Sequence, residues 1–177
     1  IRYHLERALH EMRHGRAGPV WLDVPLDVQA AQVDPASLSG FTPETAPMPD
    51  LEQSIERVCE LLAAAERPLI LAGHGVRLAG AAQRFLALAE SLDIPVTTTW
   101  NALDLIPWEH PLCVGRPGVV ALRAANFAVQ NCDLLISIGC RLDNIITAYN
   151  PRGFARAARK VVVDVDPEEI AKLDMDI

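Results

Sequence analysis

Short aliphatic runs alternate with helical segments along the part of the chain that follows Asp50. Apolar residues recur at helical spacing over about 51–65, 79–92 and 119–131, which predicts three helices, with Asp50 capping the first. Asp166 followed by Pro-Glu-Glu is typical of the start of a fourth helix. The aliphatic runs predict four strands, at residues 68–72, 94–99, 134–138 and 160–166. This alternation predicts an α/β fold with a doubly wound, Rossmann-like parallel sheet.

Residues 1–49 have a different character. A helix is predicted over residues 2–14 and a strand over residues 20–24, but one helix and one strand cannot bury a core. Since the chain also begins with Ile1, we expect residues 1–28 to be the end of a preceding domain of a longer protein. Prolines without periodicity over residues 29–49 predict an extended linker. A new domain is expected over residues 50–177, truncated at its C-terminus.

Composition narrows the class of protein. The 177 residues are 50% hydrophobic and carry a formal net charge of −7 without a basic stripe, which argues against a nucleic-acid partner. No apolar run reaches the length of a membrane span, and charged residues interrupt the start where a signal peptide would lie. The four cysteines form no C-x-x-C pair and are expected to be reduced thiols of a cytoplasmic protein. His10 and His14 stand one helical turn apart, yet no metal site is predicted.

Candidate binding residues follow the predicted strands, because parallel sheets bind ligands at the carboxyl ends of their strands. Glycines at a strand-to-helix turn let backbone N–H groups approach a phosphate, and an arginine can grip a phosphate bidentately. An aspartate at a strand end can accept hydrogen bonds from a ribose. The candidates by this rule are Gly73, His74, Gly75, Thr99, Trp100, Asn101, Gly139, Arg141 and Asp164, and Asp143 lies in the loop that also holds Arg141. A tight turn for the glycines, a surface ion pair for Arg141 and structural roles for the two aspartates remain open alternatives.

No catalytic constellation is predicted within this chain. There is no G-x-S-x-G nucleophile turn and no Walker loop, and Leu78 stands where a third glycine would complete the dinucleotide-binding fingerprint.

Five segments in order resemble acetolactate synthase-like enzymes that depend on thiamine diphosphate. Residues 15–29, GRAGPVWLDVPLDVQ, resemble the end of the pyrimidine-binding domain of that family. Residues 67–76 (RPLILAGHGV) and 94–99 (IPVTTT) are similar to the opening of its central domain. Residues 131–143 (NCDLLISIGCRLD) and 160–170 (KVVVDVDPEEI) resemble two later motifs.

The resemblance implies an enzyme of three α/β domains that decarboxylates a 2-oxo acid and transfers the resulting unit to an acceptor. Residues 1–28 would end the pyrimidine-binding domain and 50–177 would be the central domain. Thiamine diphosphate and Mg²⁺ would bind outside this chain, which would then be inactive alone, and a homo-oligomer is implied. Another decarboxylase or carboligase of the superfamily and a stand-alone nucleotide-binding module are the alternatives.

The resemblance also implies that the central domain binds FAD or ADP, without redox use of the flavin. The nine candidates named above match the family's positions, and the resemblance adds Asp143 and, from the preceding domain, Arg16. Two departures from the family pattern stand out: Ile145 replaces an arginine, and Arg116-Pro117-Gly118 replaces a Met-His-Gly type of turn near the flavin. FAD, ADP and an empty site therefore stay open.

Overall fold

The computed structural model describes residues 1–44 and 51–177. The chain divides into two compact units, Ile1–Pro49 and Asp50–Ile177, and each is described by itself. Residues 45–49 of the predicted linker and the predicted cap Asp50 lie outside the described residues.

The first unit holds helices α1 (Arg2–Glu11) and α2 (Leu26–Gln29) and a 3-10 turn at Pro35–Ser37. The predicted strand at residues 20–24 is wrong, since the backbone there has no β pairing. A strand exists only through hydrogen bonds to a neighbouring strand, and the described residues of this unit offer none.

Part of the predicted linker contacts α1. The Glu6 carboxylate accepts hydrogen bonds from Arg2 Nε at 2.7 Å and from the Phe41 backbone N–H at 2.7 Å. The hydrogen bond from Arg2, together with that from Phe41, lowers the pKa of Glu6. The Phe41 ring meets Tyr3 edge to face, with centroids 5.5 Å apart. These contacts hold residue 41 against the first helix.

The second unit contains a five-stranded parallel sheet. Its strands are β1 (Pro68–Ala72), β2 (Val96–Thr98), β3 (Cys113–Gly115), β4 (Leu134–Ile138) and β5 (Arg159–Val163). Every pairing is parallel, in the order β3-β2-β1-β4-β5. The helices are α3 (Leu51–Ala64), α4 (Gly75–Leu78), α5 (Ala82–Leu92), α6 (Arg123–Asn131) and α7 (Pro167–Ala171). The predicted α/β fold with a parallel sheet is confirmed.

Alternate residues of β1 enter two separate cores. Leu69 and Leu71 pack in one cluster with Val129 of α6, whereas Ile70 and Ala72 pack in another with Phe85 of α5. Successive side chains of a strand point to opposite faces, so the sheet is covered by apolar groups on both sides. Burial on both faces explains why β1 and β4 are continuous aliphatic runs in the sequence.

The predicted strands and helices differ from the observed ones mainly at their ends. The strands β1 and β4 have the predicted bounds, and α7 begins at Pro167 as predicted, with the Asp166 carboxylate accepting the Glu168 N–H at 3.0 Å. The strand β3 was missed because it has three residues inside a segment rich in proline and glycine. Such a strand gives too few positions for any periodicity.

Candidate functional site

The strand order reverses at one place in the sheet, between β1 and β4. From β1 the chain moves outward to β2 and β3 and then crosses back to β4 and β5. In open α/β sheets, ligands bind at such a switch point, outside the carboxyl ends of the strands. We call this side of the sheet the carboxyl edge. All candidates of the second unit lie on it, because each follows the end of a parallel strand.

Three glycines join the β1 and β4 loops by direct backbone contact. Gly73 N–H donates to the Ile138 carbonyl at 2.9 Å, and Gly75 N–H donates to the Gly139 carbonyl at 3.0 Å. A Cβ on Gly75 or on Gly139 would lie 2.7 Å from the backbone of the other loop. The three positions therefore need glycine for close approach. Their role as phosphate-binding residues stays a prediction, and the two N–H groups already have protein acceptors.

The β1 loop also contacts the segment that follows β2. His74 Nδ1 lies 2.9 Å from the Asn101 carbonyl oxygen, and Thr99 N–H donates to Ala72 O at 2.9 Å. A carbonyl only accepts, so Nδ1 carries the proton in this contact. Trp100 begins a 3-10 turn and leaves 49% of its surface exposed. An exposed indole is a surface on which an aromatic base can stack.

The polar residues after β4 and β5 have contacts of their own. Arg141 Nε lies 4.0 Å from the Glu169 carboxylate of α7, which Lys172 also contacts. Asp164 Oδ1 accepts the Asp166 N–H at 3.0 Å, which shapes the turn into α7. Arg141 and Asp164 follow neighbouring strands and share the carboxyl edge, as the predicted topology requires.

Asp143 closes a turn within its own loop. Its Oδ1 accepts the N–H groups of Ile145 at 2.9 Å and Ile146 at 3.1 Å. This is the turn-forming alternative that the sequence left open. A ligand contact for Asp143 stays a prediction, and so does the role of Arg16, which lies exposed in the first unit.

Arg116 is a residue of this edge that the sequence reasoning did not include among the binding candidates. It follows β3 directly and starts a loop that reaches the β4 loop, where Val119 N–H donates to Ile145 O at 2.9 Å. The Asn126 side chain makes two hydrogen bonds to this loop. It accepts from Gly118 N–H at 2.9 Å and donates to Gly118 O at 3.1 Å. The signal was present in the sequence as the departure from the family's Met-His-Gly type of turn.

Two buried thiols lie near the two ends of β4. Burial, the largest influence in each case, raises the pKa of Cys132 and of Cys140 to about 11. Both therefore stay protonated near neutral pH. Across residues 1–44 and 51–177, no three metal-binding side chains of the His, Cys, Asp or Glu type come together as a candidate metal site. None of the helices described there combines the length and apolar character that a membrane crossing needs.

The opposite side of the sheet, the amino edge, is closed by one carboxylate. Asp133 precedes β4 and accepts the backbone N–H groups of Glu66 at 2.8 Å and Arg67 at 2.9 Å, immediately before β1. Its backbone N–H donates to Arg67 O, and its carbonyl accepts the Arg159 N–H at the start of β5. Desolvation acts to raise the pKa of Asp133, but the two backbone hydrogen bonds and the Arg67 charge outweigh it and lower that pKa. Asp133 thus joins the starts of three strands.

A parallel sheet with a switch point and polar side chains along its carboxyl edge defines the Rossmann-like class of α/β domains. Residues 55–177 match the family model described as "Thiamine pyrophosphate enzyme, central domain". The chain belongs to this family of thiamine pyrophosphate enzymes, as the resemblance predicted.

Individual relatives agree with this assignment. The chain is 43% identical over 166 residues to a probable acetolactate synthase large subunit of Methanocaldococcus jannaschii, covering 89% of this chain and 27% of that protein. It is 38% identical over 174 residues to the acetolactate synthase large subunit of Corynebacterium glutamicum, covering 96% and 27%. It is 36% identical over 159 residues to the acetolactate synthase isozyme 1 large subunit of Escherichia coli, covering 90% and 28%. The chain therefore spans about a quarter of the length of these curated relatives.

Proposed function

We propose that this chain is the central-domain part of an acetolactate synthase-like enzyme that decarboxylates a 2-oxo acid and joins the resulting unit to an acceptor. The family match over residues 55–177, together with acetolactate synthase relatives over most of the chain, is the observation that supports it. The parent would be a cytoplasmic homo-oligomer, with thiamine diphosphate and Mg²⁺ bound by segments outside these residues. Thiamine diphosphate supplies the carbanion chemistry in such enzymes, and the protein supplies position and polarity.

Within this function, the carboxyl edge of the sheet is a site for an adenine nucleotide, FAD or ADP. The donor set fits such a ligand in three respects. Trp100 offers an exposed indole face, Asp164 offers a carboxylate at the end of β5, and Arg141 is an exposed cation at the end of β4. These are groups that a base, a ribose and a diphosphate respectively prefer.

The hydrogen bonds of the glycine turn restrict how a phosphate could bind at this edge. Gly73 and Gly75 donate their N–H groups to the β4 strand and loop, so neither N–H is offered to a phosphate in this structure. A ligand diphosphate would then depend on side-chain cations of the edge. The nucleotide would serve as a structural element, and this chain alone would not turn over a 2-oxo acid.

Titration of the 177-residue chain with ADP and FAD, followed by calorimetry and by flavin fluorescence, tests the nucleotide site. We expect saturable binding of one of the two. Asp164→Asn should weaken it about tenfold through the lost ribose contact. Asp176→Asn, an exposed position beyond α7, removes the same charge and is the matched control. Saturable binding of neither nucleotide would refute the nucleotide site and leave the family assignment intact.

Assays of the full-length parent test the reaction. With thiamine diphosphate and Mg²⁺ present, we expect CO₂ release from pyruvate and formation of a carboligation product, and no turnover by the 177-residue chain. Release from a different 2-oxo acid alone would favour another decarboxylase or carboligase of the superfamily. A chain that occurs in cells without flanking domains and binds nucleotide would favour the stand-alone module.

A further inference from the structure

The two outermost strands of the sheet differ in how readily they can accept a further strand. β3 has three residues, and its register against β2 shifts between Val96 and Thr97. β5 has five residues, each in register with a residue of β4, and contains neither glycine nor proline. Short or bulged outer strands resist pairing with another chain, whereas long regular ones accept it. The sheet can therefore be extended at β5.

The backbone of β5 presents hydrogen-bonding groups on its open side. The Arg159 N–H donates to the residue before β4, and the Val163 carbonyl accepts from the residue after it. Since alternate residues of a strand turn their backbone groups to opposite sides, those of Lys160 and Val162 point away from β4. No backbone hydrogen bond from the part of the chain that the structure describes reaches these groups. Lys160 and Val162 each offer a donor and an acceptor to another strand.

Apolar surface lies beside these open groups. Val163 leaves 51% and Val165 leaves 65% of its surface exposed at the end of β5. A groove between β5 and α3 is lined by Val58, Leu61 and Val161, together with polar side chains. Val161 and Val163 share a face of the strand because successive side chains alternate. A strand that pairs here therefore covers apolar side chains in addition to forming hydrogen bonds.

We propose that the strand accepted at this position is β5 of a second copy of the chain, paired antiparallel about a two-fold axis at Val162. In this register Lys160 of each copy lies opposite Asp164 of the other, and Val161 lies opposite Val163. Lysine on an outer strand usually hinders pairing, but opposite charges placed directly across an antiparallel pair stabilise it. The segment Lys-Val-Val-Val-Asp is thus complementary to itself in charge.

This pairing closes on itself. It uses the open backbone groups of both β5 strands, so association stops at two copies. The two five-stranded sheets would form one continuous sheet, and the axis perpendicular to it keeps α3 of both copies on the same face. The dimer needs no nucleotide, so the inference goes beyond the proposed function and does not depend on it.

Analytical ultracentrifugation of the 177-residue chain tests the dimer. We expect the mass to rise with concentration from 19.3 kDa toward twice that value. Lys160→Glu sets a carboxylate against Asp164 in both cross-strand pairs and should weaken dimerisation about ten- to a hundredfold. Arg84→Glu, at an exposed position of α5, makes the same change in net charge and is the matched control. The control should dimerise as the parent chain does.

A mixture of two variants tests the register. Lys160→Glu and Asp164→Lys each place like charges opposite one another when they pair with themselves. Mixed together, they place opposite charges at both pairs, so we expect dimers to return in the mixture. Circular dichroism of each variant shows whether it is folded. Two folded variants that fail to associate when mixed would overturn the register.

Amide exchange measured by nuclear magnetic resonance locates the contact. The N–H groups of Lys160 and Val162 should exchange more slowly as the chain concentration rises, whereas that of Val161, which faces β4, should not change. A chain that stays monomeric up to about 1 mM would overturn the proposal. Dimers that persist in Lys160→Glu at the parent's affinity, or assemblies that grow beyond two copies, would overturn it as well.

Discussion

The two edges of the parallel sheet carry similar residue types, but these residues have different roles. At the amino edge, the Asp133 carboxylate accepts two backbone N–H groups and joins the starts of β1, β4 and β5. At the carboxyl edge, glycine contacts close the backbone between β1 and β4, and Arg77, Asp104 and Arg141 are exposed there. Polar groups at the amino edge thus hold the strands together, whereas our proposal assigns some polar groups at the carboxyl edge to a nucleotide.

The largest effect is expected from a single methyl group added at the carboxyl edge. Gly73→Ala should lower the free energy of unfolding by about 3 kcal/mol or more, because its Cβ would overlap the Gly139 carbonyl, which is backbone and cannot turn aside. Urea unfolding monitored by circular dichroism measures the change. Gly80→Ala is the control, since Gly80 has open space but a φ of +64° and should cost only about 1 kcal/mol. Equal losses would show that close approach is not what Gly73 provides.

Asp133→Asn should lower the free energy of unfolding by about 2 kcal/mol. The amide keeps one acceptor but loses the charge and the second acceptor, leaving a backbone N–H of the amino edge without its partner. Chemical unfolding of the two proteins at pH 7 gives the difference. A loss below about 0.5 kcal/mol would mean that water replaces the carboxylate easily.

Acid should remove the advantage of Asp133 over asparagine. The pKa of Asp133 is lowered in the folded chain, so its contribution is complete above the unfolded value near 4 and is lost as the pH falls through the folded pKa. The stability gap between the parent chain and Asp133→Asn should therefore narrow to below about 1 kcal/mol at the acid end. Unfolding curves from pH 7 to pH 3 measure it. A gap that stays constant or widens toward acid would contradict the sign of the shift.

The smallest effect is expected for an aspartate on the carboxyl edge. Asp104 pairs with Arg77 at 2.7 Å, but its side chain is 65% exposed. Exposed ion pairs contribute little, so Asp104→Asn should change the free energy of unfolding by no more than about 0.5 kcal/mol. The same unfolding assay applies. A loss as large as that of Asp133→Asn would erase the distinction between the edges.

The sequence predicted four strands of the sheet in the second unit and missed the fifth, β3. β1 and β4 have the predicted bounds because five consecutive aliphatic or small residues leave little ambiguity. The segment at residues 20–24 is also mainly apolar, apart from Asp23, but it is not a strand here, because pairing depends on a neighbour and not on composition.

The sequence predicted where the candidate site lies but not which contacts its residues make. Parallel topology alone put His74, Arg141 and Asp164 on one edge, which the observed strand order confirms. Gly73 and Gly75 donate hydrogen bonds to residues of the β4 segment that lie more than 60 positions away in the sequence. A local sequence pattern cannot reveal partners at that distance. Arg116 likewise joins this edge through β3, a strand that the sequence did not predict, and a departure from the family pattern was its only trace in the sequence.

Amide hydrogen–deuterium exchange with and without saturating ADP tests most directly whether the carboxyl edge is the ligand side. The account predicts slower exchange in the loops after β3 and β4, around Arg116 and Arg141, with no change at Glu66 and Arg67 beside Asp133. Unchanged exchange throughout, or protection confined to the amino edge, would contradict it.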